Sequence, residues 1–229
     1  IEGMPSLYVE DENDASTLEI LTEDSVTGLQ TVLFYTVFEK LGAMARSVKI
    51  LNPTDKTVDI EKVYSCSVDF ATHDFDLITL YGKWVKERNV ERRPLAHGRQ
   101  GVSSRRGSSS HFQNPFAALV DNNTTEDFGN AYGFNLVYSG NHYSAVEKGN
   151  HDTLRVMSGI NPHCFLWKLK GGETFYTPEA IMSYSDGGIN AFSLNMHDFV
   201  NNHIIRKDFQ TSERPIVINN WEATFFHFN

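Results

Sequence analysis

The chain has 229 residues, a formal net charge of −9 and an aromatic content of 12%, with 16 phenylalanines leading it. A sequence pI near 5.4 argues against nucleic acid and against an anionic membrane surface as partners, since both need clustered Lys and Arg. No apolar run approaches the ~20 residues of a membrane span, and the length suffices for one large domain that buries roughly 70–75% of its unfolded surface.

Near the N-terminus Glu10, Asp11, Glu12 and Asp14 crowd a loop and read as solvated charge. Leu29–Phe38 and Met44–Leu51 follow, rich in Val, Thr and aromatics, and read as strands closed by the turn Asn52-Pro-Thr-Asp. Tyr64, Cys66, Val68 and Phe70 alternate with Ser65, Ser67 and Asp69, and Val58 and Ile60 continue the phase upstream. Period two marks a half-buried strand. Leu77–Glu87 is a further strand candidate, with Asp74 and Asp76 just ahead of it on one face.

Gly98–His111 is the one low-complexity stretch. An ordered, hydrogen-bonded crossing loop is expected there rather than a loose linker, because Asn114-Pro-Phe-Ala-Ala-Leu-Val directly after it reads as packed. Asn122 and Asn123 fit the glycosylation triplet and read as a polar loop. Tyr132, Phe134, Leu136 and Tyr138 alternate with Gly133, Asn135 and Val137, and Leu154–Ile160 and Cys164–Leu169 supply more strands. Turns at Ser139-Gly-Asn, Asn161-Pro, Lys170-Gly-Gly and Asp186-Gly-Gly separate them. Short strands at this spacing indicate an antiparallel sandwich.

The period then changes. Ile189, Phe192, Met196, Phe199, Val200, His203 and Ile204 form a single helical stripe, so a helix is expected from about Gly188 to Arg206, ending on the basic pair Arg206-Lys207. His203, on the stripe, reads as a satisfied core or hinge histidine. After the polar stretch Asp208–Glu213 comes Pro215-Ile-Val-Ile, apolar without alternation, as in a parallel strand covered on both faces. At its end stand Asn219, Asn220, Trp221 and Glu222, where an α/β barrel places its chemistry. Such a strand needs neighbours that form later in sequence, so the tail reads as the opening of a second domain.

Tests for complete catalytic constellations fail. There is no Gly-x-Ser-x-Gly elbow, His197 and His203 are too far apart for a zincin pair, and Gly98, Gly101 and Gly107 have the wrong spacing for a phosphate loop. Cys66 and Cys164 form no CxxC and read as two reduced, packed thiols of a cytosolic protein. The chain starts at Ile1 rather than Met, which leaves an upstream leader open. Glycosidases need paired carboxylates, and Glu222 has no visible carboxylate partner. No catalytic residue, cofactor or metal is therefore assigned within the chain. Trp221 has two readings: a packed aromatic, or a platform whose indole face meets the C–H face of a sugar ring.

Several long blocks carry a resemblance. Gly3-Met-Pro-Ser-Leu-Tyr-Val-Glu-Asp-Glu, Thr17-Leu-Glu-Ile, Ser103-Ser-Arg-Arg-Gly-Ser-Ser-Ser-His, Asn114-Pro-Phe, Tyr132-Gly-Phe-Asn-Leu-Val-Tyr-Ser-Gly-Asn, Gly159-Ile-Asn-Pro, Thr177-Pro-Glu-Ala and Arg214-Pro-Ile-Val-Ile-Asn-Asn-Trp-Glu-Ala-Thr resemble the bacterial α-galactosidases of glycoside hydrolase family 36. The resemblance implies a mainly β fold, an antiparallel β-supersandwich of the galactose-mutarotase-like kind, with a connecting helix and the start of a truncated (β/α)8 barrel. Expected boundaries are 1–187 for a sandwich incomplete at its N-terminus, 188–213 for the helix and linker, and 214–229 for the first barrel strand.

It further implies retaining hydrolysis of terminal α-galactosides of the melibiose and raffinose type, with both catalytic aspartates beyond Asn229. A cytoplasmic homo-oligomer that binds an α-galactoside through the whole enzyme is expected, and Trp221 matches the tryptophan that lines the galactose subsite. Phe225 and His227 depart from the family's usual Tyr and Asp. The rival reading is a non-catalytic carbohydrate-binding or oligomerisation sandwich.

Overall fold

The computed structural model describes residues 7–71, 74–150 and 153–227. The start of the first matching block, Gly3–Ser6, and the end of the tail, Phe228 and Asn229, lie outside the described residues. In chain order the strands are β1 (Ser16–Glu23), β2 (Gln30–Phe38), β3 (Ala43–Leu51), β4 (Val58–Ile60), β5 (Tyr64–Phe70), β6 (Phe75–Lys83), β7 (Lys86–Pro94) and β8 (Gly98–Ser103). They continue as β9 (Gln113–Asp121), β10 (Ala131–Val137), β11 (His142–Lys148), β12 (Leu154–Ile160), β13 (Trp167–Leu169), β14 (Thr174–Tyr176) and β15 (Glu179–Ser185). Three helices follow, α1 (Gly188–His203), α2 (Lys207–Gln210) and α3 (Trp221–Thr224).

The expected antiparallel sandwich is what forms. A large sheet runs β1-β2-β3-β15-β10-β9-β6-β7, with β14 added beside β3. A second sheet, β5-β12-β11-β8, lies over its middle, β5 against β3 and β15 and β8 against β9. Alternation does the work here: Leu77, Leu119, Phe134 and Leu136 of the large sheet meet Cys66, Val146, Leu154 and Val156 of the second in one buried cluster. At Gly101 a Cβ would stand 2.1 Å from the Ser144 carbonyl oxygen, so only glycine lets β8 close onto β11.

Helix α1 covers the opposite face of the large sheet. Phe199 packs with Phe38, Ala45 and Ile181, and Phe192 with Ile78, Val120 and Ala131. Phe192 can approach β10 there because position 133 is glycine; a Cβ would come within 2.3 Å of its ring. The helical stripe was legible, but the helix stops at His203 rather than at Arg206. The cause is tertiary. Tyr8 caps the end, its N–H donating to the His203 carbonyl at 3.1 Å and its hydroxyl to the Ile205 carbonyl. The His203 carbonyl is an orphan of the last turn, and a partner outside the helix satisfies it.

Four further expectations need correction. Val58 and Ile60 do not continue β5; they form β4, which pairs with β13 in a separate two-stranded sheet. Leu77–Glu87 is not one strand but a hairpin, since Trp84 and Val85 make its turn and Val85 sits at φ 67°. Gly98–Ser103 is a strand, while the rest of that stretch is the hydrogen-bonded loop expected: Ser104 Oγ donates to Ser108 O at 2.6 Å and Gly107 N–H to Asn141 Oδ1 at 2.7 Å. Cys164 lies outside β13 at φ 59° and is exposed, whereas Cys66 is buried, so only one thiol is packed. Burial pushes the Cys66 thiol up to about 11, a displacement that the Arg46 charge moderates.

The tail departs most. Residues 214–220 pair with no strand among the described residues, and Ile216, Val217 and Ile218 are 96, 81 and 85% exposed. A parallel strand is held by ladders on both edges and cover on both faces, and the described chain supplies neither.

Candidate functional site

The tail nonetheless shapes a local site. Trp221 opens α3 and is 46% exposed. Its ring meets Phe225 at 5.3 Å and Phe226 at 4.9 Å between centroids, both edge-on at 73° and 89°. Edge-to-face contacts fix an indole plane without covering it. Phe225 follows at φ 50°, which folds the aromatic run back onto Trp221. The sequence flagged Phe225 only as a departure from pattern; the run of aromatics from Trp221 to Phe226 was the available signal for this cluster.

Asn219 serves the backbone and Asn220 a neighbouring side chain. Asn219 Oδ1 accepts from the Trp221 N–H at 3.0 Å, and Asn220 Nδ2 donates to Thr224 Oγ1 at 3.0 Å. Of the two roles open to them, turn capping is the one observed for Asn219. Glu222 lies in α3 by its backbone, while its side chain is outside what is described.

The other candidate groups are accounted for by structure. His203 is 6% exposed, its Nδ1 lies 3.0 Å from the Tyr8 carbonyl, and its ring sits 4.6 Å from Phe38. It is the satisfied core histidine that the sequence suggested. Among the acids, Glu10 pairs with Lys207, Asp14 with Lys40 and Asp76 with Arg92. Arg92 also donates to the carbonyls of Thr124, Asp121 and Asn122, so Asp76 is held for architecture. Among the described residues no group of three or more His, Cys, Asp or Glu is arranged to hold a metal ion.

His142 was missed by sequence reasoning, with no motif to betray it. Its side chain is fully buried, Nε2–H donates to the Gln113 carbonyl at 2.9 Å, and Nδ1 has no partner. Burial lowers its pKa below the ordinary 6.5, against the weaker pull of the Gln113 carbonyl, and so favours the neutral ring. The unfolded chain binds a proton that the native chain refuses, so this contribution to stability is present above about pH 6.5 and is lost as pH falls below it. We expect His142→Gln to flatten the difference in melting temperature between pH 7 and pH 5; an unchanged slope would show that other groups carry it.

The family model for the glycosyl hydrolase family 36 N-terminal domain matches residues 1–170, and the melibiase model matches residues 174–229. Alpha-galactosidase 1 of Pediococcus pentosaceus and alpha-galactosidase AgaA of Geobacillus stearothermophilus are each 48% identical over all 229 residues. The chain spans 31% of the length of either. The solved α-galactosidase of Lactobacillus brevis superposes on the whole chain with a TM-score of 0.96 at 41% identity, the match covering 31% of that protein. AgaA variants crystallised with stachyose and with raffinose superpose on the whole chain with TM-scores of 0.96 at 48% identity, over 32% of those chains.

Proposed function

The chain belongs to glycosyl hydrolase family 36, and from that premise we propose that it is the N-terminal, non-catalytic part of a retaining α-galactosidase. The supporting observation is that identity of 48% runs the full length of the chain against α-galactosidases while covering 31% of theirs. The reaction we assign to the whole protein is hydrolysis of terminal α-D-galactosyl residues from melibiose- and raffinose-type oligosaccharides. Raffinose and stachyose occupy crystals of AgaA variants, which supports that substrate class.

In this reading residues 1–187 are the β-supersandwich, 188–213 the connecting helix and linker, and 214–229 the first strand of the catalytic barrel. The exposure of Ile216, Val217 and Ile218 supports the last assignment, because three consecutive bare β-branched side chains call for a covering layer. Trp221 is assigned to the galactose subsite. The reading extends to a homo-oligomer in the cytoplasm; of the membrane the structure says that no described helix is long and apolar enough to cross one.

The chain by itself is expected to release no nitrophenol from 4-nitrophenyl α-D-galactoside, since retaining hydrolysis needs two carboxyl groups about 5–5.5 Å apart and no carboxylate was assigned that role here. Measurable turnover by the purified chain would overturn the assignment. The rival, a carbohydrate-binding sandwich, draws on one observation, the exposed Trp167 of β13 and Trp84 of the β6–β7 turn, 47 and 69% exposed. Calorimetric titration with melibiose separates the two readings, with no heat expected from the chain alone.

A further inference from the structure

The chain turns sharply just after Trp221, and the turn carries a residue ill suited to it. The Trp221 carbonyl accepts from the Phe225 N–H at 3.1 Å, closing α3. Asn220 Nδ2 braces that turn on Thr224 Oγ1 at 3.0 Å. The Thr224 carbonyl then accepts from the His227 N–H at 2.9 Å, and Phe225 between them sits at φ 50° and ψ −117°. That hydrogen bond and those dihedrals are the signature of a type II′ turn with Phe225 as its first central residue. Glycine dominates the position, because it has no Cβ to meet the neighbouring backbone. A bulky side chain there is strained, and it persists only where its surroundings hold it.

What holds Phe225 is Trp221. Among the described residues its aromatic contact is with the indole, at 5.3 Å and 73°. The residue is 53% exposed, so burial does not account for its place. Phe226 meets the same indole at 4.9 Å and 89°. Two consecutive rings thus brace one tryptophan from the backbone that follows it, and the strained turn is what brings the first of them back. Solved relatives superpose on the chain from end to end, tail included.

We propose that Phe225 is a positioning residue for sugar binding. Its ring, delivered by the strained turn, fixes the plane of the Trp221 indole on which a galactosyl ring lies. The inference rests on the assignment of Trp221 to the galactose subsite. Phe225 itself touches no substrate and acts through the indole.

The test uses the whole α-galactosidase. Phe225→Gly removes the ring and eases the turn. It should raise KM for 4-nitrophenyl α-D-galactoside by roughly 2- to 12-fold, the size of one edge-on aromatic pair. Turnover at saturation should hold, as it does when binding common to substrate and transition state is lost. The melting temperature should stay level or rise, because glycine suits a positive φ. Phe225→Ala, strained and without the ring, should raise KM equally but melt lower, and Phe225→Tyr should match the parent. In the ¹⁵N-labelled chain, Phe225→Gly should shift the Trp221 indole N–H signal and weaken its heteronuclear NOE, while the signals of Trp84 and Trp167 stay in place. An unchanged KM in Phe225→Gly, a rise accompanied by a lower melting temperature in that variant, or an unmoved Trp221 indole signal would each overturn the proposal. Trp221→Ala separates it from the assignment beneath it. If Trp221→Ala loses activity and Phe225→Gly does not, only the positioning role falls; if Trp221→Ala acts normally, the subsite goes and the proposal with it.

Discussion

Replacing Trp221 by alanine in the whole α-galactosidase of which this chain is read as the N-terminal part is expected to lower kcat/KM for 4-nitrophenyl α-D-galactoside by roughly 30- to 150-fold, about 2–3 kcal/mol of binding energy. The physical basis lies in the tail itself. Trp221 is held edge-on by Phe225 and Phe226 and is still 46% exposed, so its indole plane is oriented and open. A sugar ring that stacks on such a plane gains apolar contact on its C–H face without losing hydrogen bonds from its rim. Trp221→Phe, which keeps a flat ring, should recover part of the loss, whereas a structural role alone would bring thermal instability with it. Turnover unchanged in Trp221→Ala would remove the subsite assignment while leaving the family assignment untouched.

The second large effect concerns stability. Phe199→Ala is expected to cost about 3–5 kcal/mol, the usual penalty for emptying a buried aromatic site, and to lower the melting temperature by roughly 8–15 °C for a chain of this size. Phe199 is fully buried, meets Phe38 edge-on at 4.8 Å and sits 5.3 Å from the His203 ring. Its loss loosens α1 from the large sheet just before the turn that Tyr8 caps. The comparison is Leu194→Ala on the same helix, where the side chain is 56% exposed and the expected change is within ~0.5 kcal/mol. If thermal melts give both variants the same small shift, α1 is not anchored through Phe199.

Much of this fold could be read in advance because its signal is local. Leu154–Ile160 was bounded to the residue, and β2, β3 and β10 to within one or two residues, since each carries its own apolar phase. Strands without that phase escaped notice. All eight residues of β1 are exposed, and β7 is Lys-Glu-Arg-Asn-Val-Glu-Arg-Arg-Pro; both are sheet edges, where charge guards against further pairing and erases the pattern. His142 escaped for the opposite reason, because a lone histidine between polar residues gives no sign that β8, β9 and β12 will enclose it.

The sequence by itself determined the fold class, the position of α1 and the family, because alternation, a helical stripe and long specific blocks are all properties of neighbouring residues. It also pointed to Trp221, through the company that residue keeps. Tertiary structure alone decided where α1 stops, since Tyr8 reaches its last carbonyl from nearly two hundred residues away. It alone showed that Val58–Ile60 leaves the phase of β5 to pair with β13 in another sheet. Each of these depends on a partner distant in sequence. The same physics governs Pro215–Ile218: its composition asks for a covered parallel strand, and without neighbours to complete the ladder it stays bare.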